Sequence, residues 1–164
     1  EEITKCKELL TKFGGHPMAA GLSLPMENID LFRAKLNRQQ TLTEKELTPV
    51  TWIDVPMPVS YASKKLVEQL RVLEPFGKGN EKPVFADRKL TVRSANMIGK
   101  NKNVLKMQLE DTQGHVVDAI QFKVEEEDMP LRGKEISIVY YPDINEFRGN
   151  QTLQFIVQEW CYTT

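Results

Sequence analysis

The chain has little of what most exported or metal-using proteins display. It contains 2 cysteines and 2 histidines in 164 residues. Cys6 and Cys161 sit near opposite ends in apolar company, so a disulfide framework or thiolate metal site is not expected. Both read as small buried hydrophobes in a reducing cytoplasm. No run of about 18 apolar residues occurs, so no helix is expected to cross a membrane. No His, Cys or carboxylate set has metal-ligand spacing, and no Ser/His/Asp or Cys/His arrangement offers a nucleophile with its base. Glu125-Glu126-Glu127-Asp128 is a carboxylate run, but neighbours along a chain point apart where a metal needs converging ligands. It reads as a solvated connection. His115 follows a glycine in a turn and has no partner at ligand spacing. No catalytic residue and no bound metal or cofactor is therefore expected within the chain. The opening Glu1-Glu2-Ile3-Thr4-Lys5 has neither an initiator Met nor the apolar stretch of a signal peptide, and it reads as mid-helix. The expectation is a piece of a longer protein.

What is present is an uneven distribution of charge around a net of −1. Residues 62–106 carry 11 Lys+Arg against 4 Asp+Glu, while residues 107–164 carry 4 against 11. A basic middle beside an acidic tail marks a place where a polyanion can lie, and ordinary solvated faces give the same count.

The hydrophobic period divides the chain. Ile3, Cys6, Leu9, Leu10 and Phe13 predict a helix that ends at Gly14-Gly15. Leu22 and Leu24 predict a short strand stopped by Pro25. A second helix starts near Asn28 as N-cap, with Ile29, Phe32 and Leu36 on one face. Pro49, Pro56 and Pro58 make residues 46–60 an extended linker or edge strand. A third helix begins near Ser60 or Ser63, with Leu66, Val67, Leu70 and Leu73 on its buried stripe. From Pro83 the period becomes two. Five strands are expected, around Val84-Phe85 into Leu90–Arg93, Leu105–Leu109, Val116–Phe122, Ile136–Tyr140 and Leu153–Val157, with a hairpin turn at Asp111-Thr112-Gln113-Gly114 and a polar connection over 125–133. A small antiparallel barrel of the OB type fits this pattern, and a five-stranded sandwich fits it nearly as well.

Three segments carry candidate chemistry. In Gly14-Gly15-His16-Pro17-Met18-Ala19-Ala20-Gly21, the glycines allow backbone N–H groups to approach an anion and allow positive φ. His16 can donate to a phosphate oxygen or stack on a base. The small residues at 19–21 let a ligand or another backbone pass close by. A helix C-cap followed by a proline turn is the plainer alternative. In Pro75-Phe76-Gly77-Lys78-Gly79-Asn80, the glycines read first as a hinge, with Lys78 and Asn80 within reach of a phosphate. In the strand region, Arg93, Lys100, Lys102 and Lys106 fall on the first two strands and their connection, where OB folds bind oligonucleotides. Tyr141, Phe147 and Arg148 fall on or beside a loop expected at 142–146, as base platforms and a cation. Phe122 and Tyr140 are candidate platforms too, but they share alternation with buried positions and read first as core.

The first of these segments resembles the Gly-Gly-His-Pro-x-Ala-Ala-Gly signature of the DHH-associated domain in RecJ exonucleases and related DHH-family phosphoesterases. Leu73-Glu74-Pro75-Phe76-Gly77-Lys78-Gly79-Asn80 with Pro83-Val84-Phe85 is similar to the RecJ connection into its OB domain, with Glu81 where many of the family carry proline. The resemblance implies an α+β architecture. Residues 1–45 would be the end of a DHH-associated domain, 46–82 a linker strand and connecting helix, and 83–164 a five-stranded antiparallel OB barrel. It implies substrate contact by Gly14, Gly15 and His16, with Pro17 and residues 19–21 shaping the segment. It further implies a 5′→3′ single-strand-specific DNA exonuclease of bacterial repair and recombination. Mn²⁺ or Mg²⁺ would sit in a DHH domain before residue 1, and single-stranded DNA, a single-strand-binding protein or a helicase would be partners. A DHH-type phosphodiesterase of short oligonucleotides or cyclic dinucleotides, and a protein-docking OB module, remain open beside it.

Overall fold

A computed structural model of the chain describes residues 2–16 and 19–163. They cluster into two compact units, residues 1–50 and 51–164.

The first unit opens with a 3₁₀ helix, Ile3–Leu9, rather than a helix reaching Phe13. The chain leaves helical geometry at Leu10 because the next residues pair as a strand. β1 (Lys12–His16) runs antiparallel to β2 (Ala19–Ser23), with Phe13 opposite Leu22, Gly14 opposite Gly21 and Gly15 opposite Ala20. The Gly-Gly-His segment is thus strand, not helix cap, and neither Gly14 nor Gly15 uses positive φ. α1 (Ile29–Gln39) follows a 3₁₀ turn. Asn28 occupies the cap position, yet its side chain donates to the Leu9 carbonyl at 3.2 Å, tying the first helical segment to the second. Cys6 is buried and its thiol meets Gln39 Oε1 at 3.4 Å. α2 (Glu44–Leu47) closes the unit with a reciprocal Thr43/Glu46 capping box, and the two bonds from Thr43 hold the Glu46 carboxyl below its ordinary pKa.

The second unit begins with an extended segment stitched to the strand region. β3 (Val55–Pro56) lies parallel to the start of β4 (Phe85–Ile98). The Asp54 carboxylate accepts from the Val84 N–H at 2.8 Å, and that of Asp87 accepts from the Val59 N–H at 2.8 Å. α3 (Lys64–Leu70) is capped by Ser63, whose hydroxyl accepts from the Leu66 N–H. Val67 is buried on its stripe, but the helix tightens into 3₁₀ geometry at Arg71–Leu73, which rotates Leu73 out to 48% exposure.

β4, β5 (Val104–Glu110), β6 (Val116–Phe122), β8 (Asn150–Tyr162) and β7 (Glu135–Phe147) pair in that order, and β7 pairs back onto β4. The pairings therefore form a ring. The sheet is mixed rather than wholly antiparallel: β6 and β8 are parallel, as are β3 and β4. β4 serves two partners, β7 along its first half and β5 along its second, with register breaks between Asp87 and Leu90 and between Val92 and Ser94. The ring encloses Leu90, Val92, Leu105, Met107, Leu109, Ala119, Ile136, Ile138, Tyr140, Phe155 and Val157. Tyr140 packs against Phe85 and Phe155, and its hydroxyl donates to the Met57 carbonyl at 2.8 Å. Burial, reinforced by Asp87, pushes that phenol well above its ordinary pKa.

The expected loop at 142–146 does not exist. β7 continues to Phe147, and the turn is Arg148-Gly149, both at positive φ, joining Phe147 to its partner Asn150. That is the twist a two-residue hairpin needs. Pro142 is tolerated within β7 because beyond Tyr140 this strand has β8 on one side and no paired strand on the other. Cys161 is exposed on β8, not buried.

Candidate nucleic-acid interface

The outer face of β4, β5 and β6 follows from register. Val92, Leu109 and Val117 point inward in one row, and Ala95, Met107 and Ala119 in the next. The intervening residues face out. Asn96, Lys106 and Ile120 make one row, and Ile98, Val104 and Phe122 another. Phe122 is 55% exposed, which corrects its expected place in the core. β6 carries apolar residues on both faces, and only Asp118, outward with the same parity, marks Phe122 as external.

The sequence-expected cations divide on this face. Arg93 is 57% exposed and pairs with Glu110 across the strand at 2.8 Å, so its charge is partly compensated. Lys100 and Lys102 lie in the β4–β5 turn, where Gly99 and Lys102 take positive φ, and Lys106 is exposed on β5. Lys123, missed from the sequence, follows Phe122 directly. None of these four lysines has a carboxylate partner among the described residues, while Asp118 lies 3.4 Å from the Gln108 amide. The end of the face at the β4–β5 turn therefore gathers lysines without a carboxylate partner among the described residues, and Glu110 and Asp118 sit at the other.

The remaining candidates lie elsewhere on the ring. Tyr141 lies on β7, which is not a neighbour of β5 by either way round the ring, and β7 has no pairing with β4 beyond Tyr140, so the structure does not bring Tyr141 and Lys106 into one row of adjacent strands. Its ring is capped by the Lys82 ammonium at 3.9 Å, with Phe76 also 5.8 Å from that nitrogen. Burial, then Asp143, raises the Tyr141 phenol. Lys82 had no sequence signal, being a single lysine before a proline. Phe147 is 65% exposed at the end of β7, and the Arg148 guanidinium lies 5.1 Å from its ring. In the connection, the Asn80 amide donates to the carbonyls of Leu73 and Pro75 at 2.8 and 3.0 Å. It clasps the loop that carries Lys78.

In the β1–β2 hairpin, Gly14 and Gly21 face one another with nothing within 4 Å of either missing Cβ, leaving bare backbone exposed. Gly15 is glycine for another reason: a Cβ there would stand 2.5 Å from the Ala19 carbonyl oxygen and 2.6 Å from Ala20 Cα. The close-passing backbone allowed by small residues at 19–21 is the hairpin's own. His16 is exposed at the end of β1, and Pro17 lies outside the described residues. Among the described residues, no three of His, Cys, Asp and Glu converge to hold a metal ion, and no helix is long and apolar enough to cross a membrane.

The family model of the RecJ OB domain matches residues 53–159. The chain belongs to the RecJ family. The single-stranded-DNA-specific exonuclease RecJ of Bacillus subtilis is 32% identical over 162 residues, 97% of this chain and 20% of that protein. RecJ of Haemophilus influenzae is 37% identical over 153 residues, 91% of this chain and 26% of that protein. The chain thus spans about a quarter or less of the curated RecJ relatives it matches. The crystal structure of Thermus thermophilus RecJ in complex with Mn²⁺ superposes with a TM-score of 0.72 at 19% identity, covering 99% of this chain and 24% of that one. The fold is therefore that of a RecJ segment.

Proposed function

We propose that this chain is the strand-holding, non-catalytic part of a 5′→3′ single-strand-specific exonuclease of the RecJ type, acting in bacterial DNA repair and recombination. The observation that carries this reading is the cluster of Lys100, Lys102, Lys106 and Lys123, without a carboxylate partner among the described residues, at one end of the β4–β5–β6 face of a RecJ OB domain. Single-strand binders combine such positive charge with aromatic platforms. Residues 1–45 would close a DHH-associated domain, with Gly14, Gly15 and His16 touching the substrate phosphate. The bare Gly14–Gly21 pair supports this, because backbone without side chains admits an anion closely. Mn²⁺ or Mg²⁺ would supply an activated water in the parent enzyme. The described residues of this chain do not fit such an ion, so hydrolysis is assigned to a DHH domain outside it. A cytoplasmic home is supported by two free thiols.

A second reading, docking of a single-strand-binding protein or helicase, is favoured by a cleft of about 410 Å³ lined by Ile53, Arg88, Trp160 and Tyr162, with neighbouring Trp52 85% exposed.

Titration of the chain with single-stranded and duplex DNA of equal length at several salt concentrations separates these readings. The expected result is preference for the single strand, with a log–log salt slope of about −0.7 per phosphate neutralised. Equal affinity for both, or no binding, removes the strand-holding function. Affinity that does not grow with oligonucleotide length points instead to a short-substrate phosphodiesterase.

A further inference from the structure

We infer that Phe122 is the platform on which one unpaired nucleobase stacks; this rests on the strand-holding reading above and assigns its central contact. Phe122 ends β6 with over half its surface in solvent. Its cross-strand neighbour is Val104, whose own neighbour is Ile98, 38% exposed, so a phenyl ring and two β-branched side chains form an apolar row on an outer face. Apolar row and charge coincide. Lys100 and Lys102 stand in the turn joining Ile98 to Val104, Lys123 is the next residue after Phe122, and Lys106 is its diagonal neighbour through the Lys106–Ile120 pair. An apolar protein partner gains nothing from four uncompensated ammonium groups, whereas a polyanion with flat apolar faces matches both features. Duplex DNA presents the charge but hides the base faces. The ligand is therefore a single strand.

The acidic run sharpens the path. Glu126 and Glu127 line a cleft of about 450 Å³ with Ser94, Asn96 and Arg132, on the β4 side of the same face, so charge of both signs meets a phosphate there. The lysines without a carboxylate partner among the described residues lie towards Phe122, which favours a path over that ring.

The experiment compares the native chain, Phe122→Ala and Phe122→Trp in binding oligo(dT) and an abasic strand of equal length. Because Phe122 is exposed, both variants should keep the native melting midpoint. Phe122→Ala is expected to weaken oligo(dT) binding about 5- to 100-fold with the salt slope unchanged. Lys106→Ala should instead shallow that slope. Phe122→Trp should restore affinity, and its emission should be quenched by oligo(dT) but not by the abasic strand. Unchanged affinity in Phe122→Ala together with unquenched Phe122→Trp overturns the platform while leaving the strand-holding reading intact. Absence of binding by the native chain defeats both. A dimer of the native chain that Phe122→Ala converts to monomer also overturns the proposal, because the patch is then a contact between copies.

Discussion

Residues 51–164 and residues 1–50 bury their side chains to very different depths. Among the described residues, the second unit holds one cluster of 14 buried hydrophobic residues, several with no exposed surface at all. In the first unit only Cys6 and Leu9 are buried among the described residues, and every residue of β1 is exposed. Both units carry candidate chemistry, but on different supports. Lys106 and Phe122 project from strands whose opposite faces are locked into a core. Gly14 and His16 lie on a two-stranded hairpin held by its own backbone bonds. A change inside the ring should therefore be felt everywhere in it, and a change in the hairpin should stay local.

The largest expected effect tests the depth of the ring. Leu105→Ala removes a side chain with no solvent exposure and should cost about 2–5 kcal/mol. Leu36→Ala, on the half-buried face of α1, should cost about 1 kcal/mol or less. Denaturant unfolding combined with hydrogen exchange measures both, and equal losses would break the contrast between the units.

That contrast also explains what could be read from sequence. In β5, Leu105, Met107 and Leu109 alternate with Lys106, Gln108 and Glu110, so one face is core and one is solvent, and the strand is legible residue by residue. The β6 hairpin partner was legible in extent because Asp111 and Gly114 mark the turn. There the Asp111 carboxylate accepts from the backbone N–H groups of Gln113 and His115 and meets His115 Nδ1. These bonds outweigh burial and hold its pKa low. Its parity was not legible, since Val116, Val117, Ile120 and Phe122 make both faces apolar. Pro142 was misread because a proline forbids a ladder bond only where a strand lies on the N–H side. The partners of Arg93 and Asn80, Glu110 and the Leu73 and Pro75 carbonyls, were not legible because they are chosen by the fold. The Gly-Gly pair looked like a helix end because nothing local distinguishes a glycine that ends a helix from one that lets two strands touch.

The hairpin gives the middle-sized effect, and two adjacent glycines provide its control. Gly15→Ala places a methyl against the backbone of residues 19 and 20, none of which can swing aside, and should cost about 1–3 kcal/mol of local stability. Gly14→Ala meets nothing and should stay within about 0.5 kcal/mol. Amides of residues 12–16 and 19–23 should exchange faster in the first variant only, with those of β5 and β6 unchanged in both. If Gly15→Ala also loosened β5 and β6, the effect would not be local and the comparison would fail.

The smallest effect lies where the extended segment meets the ring. Tyr140→Phe keeps the packing against Phe85 and Phe155 but removes the bond to the Met57 carbonyl, for a loss of about 0.5–1.5 kcal/mol at neutral pH. The pH dependence identifies the group. Burial, aided by Asp87, keeps the folded phenol protonated above the pH of about 10 at which an unfolded tyrosine ionises. A folded-state pKa raised in this way contributes stability that is complete below pH about 10 and is lost as the pH rises above it, because only the unfolded chain gains by releasing the proton. The native chain should therefore lose stability more steeply than Tyr140→Phe in alkaline solution. Tyr141 titrates in both proteins, so its contribution cancels in the difference between the two curves. Parallel curves would mean that the Tyr140 phenol ionises as readily folded as unfolded, and that the seam at Met57 opens to water.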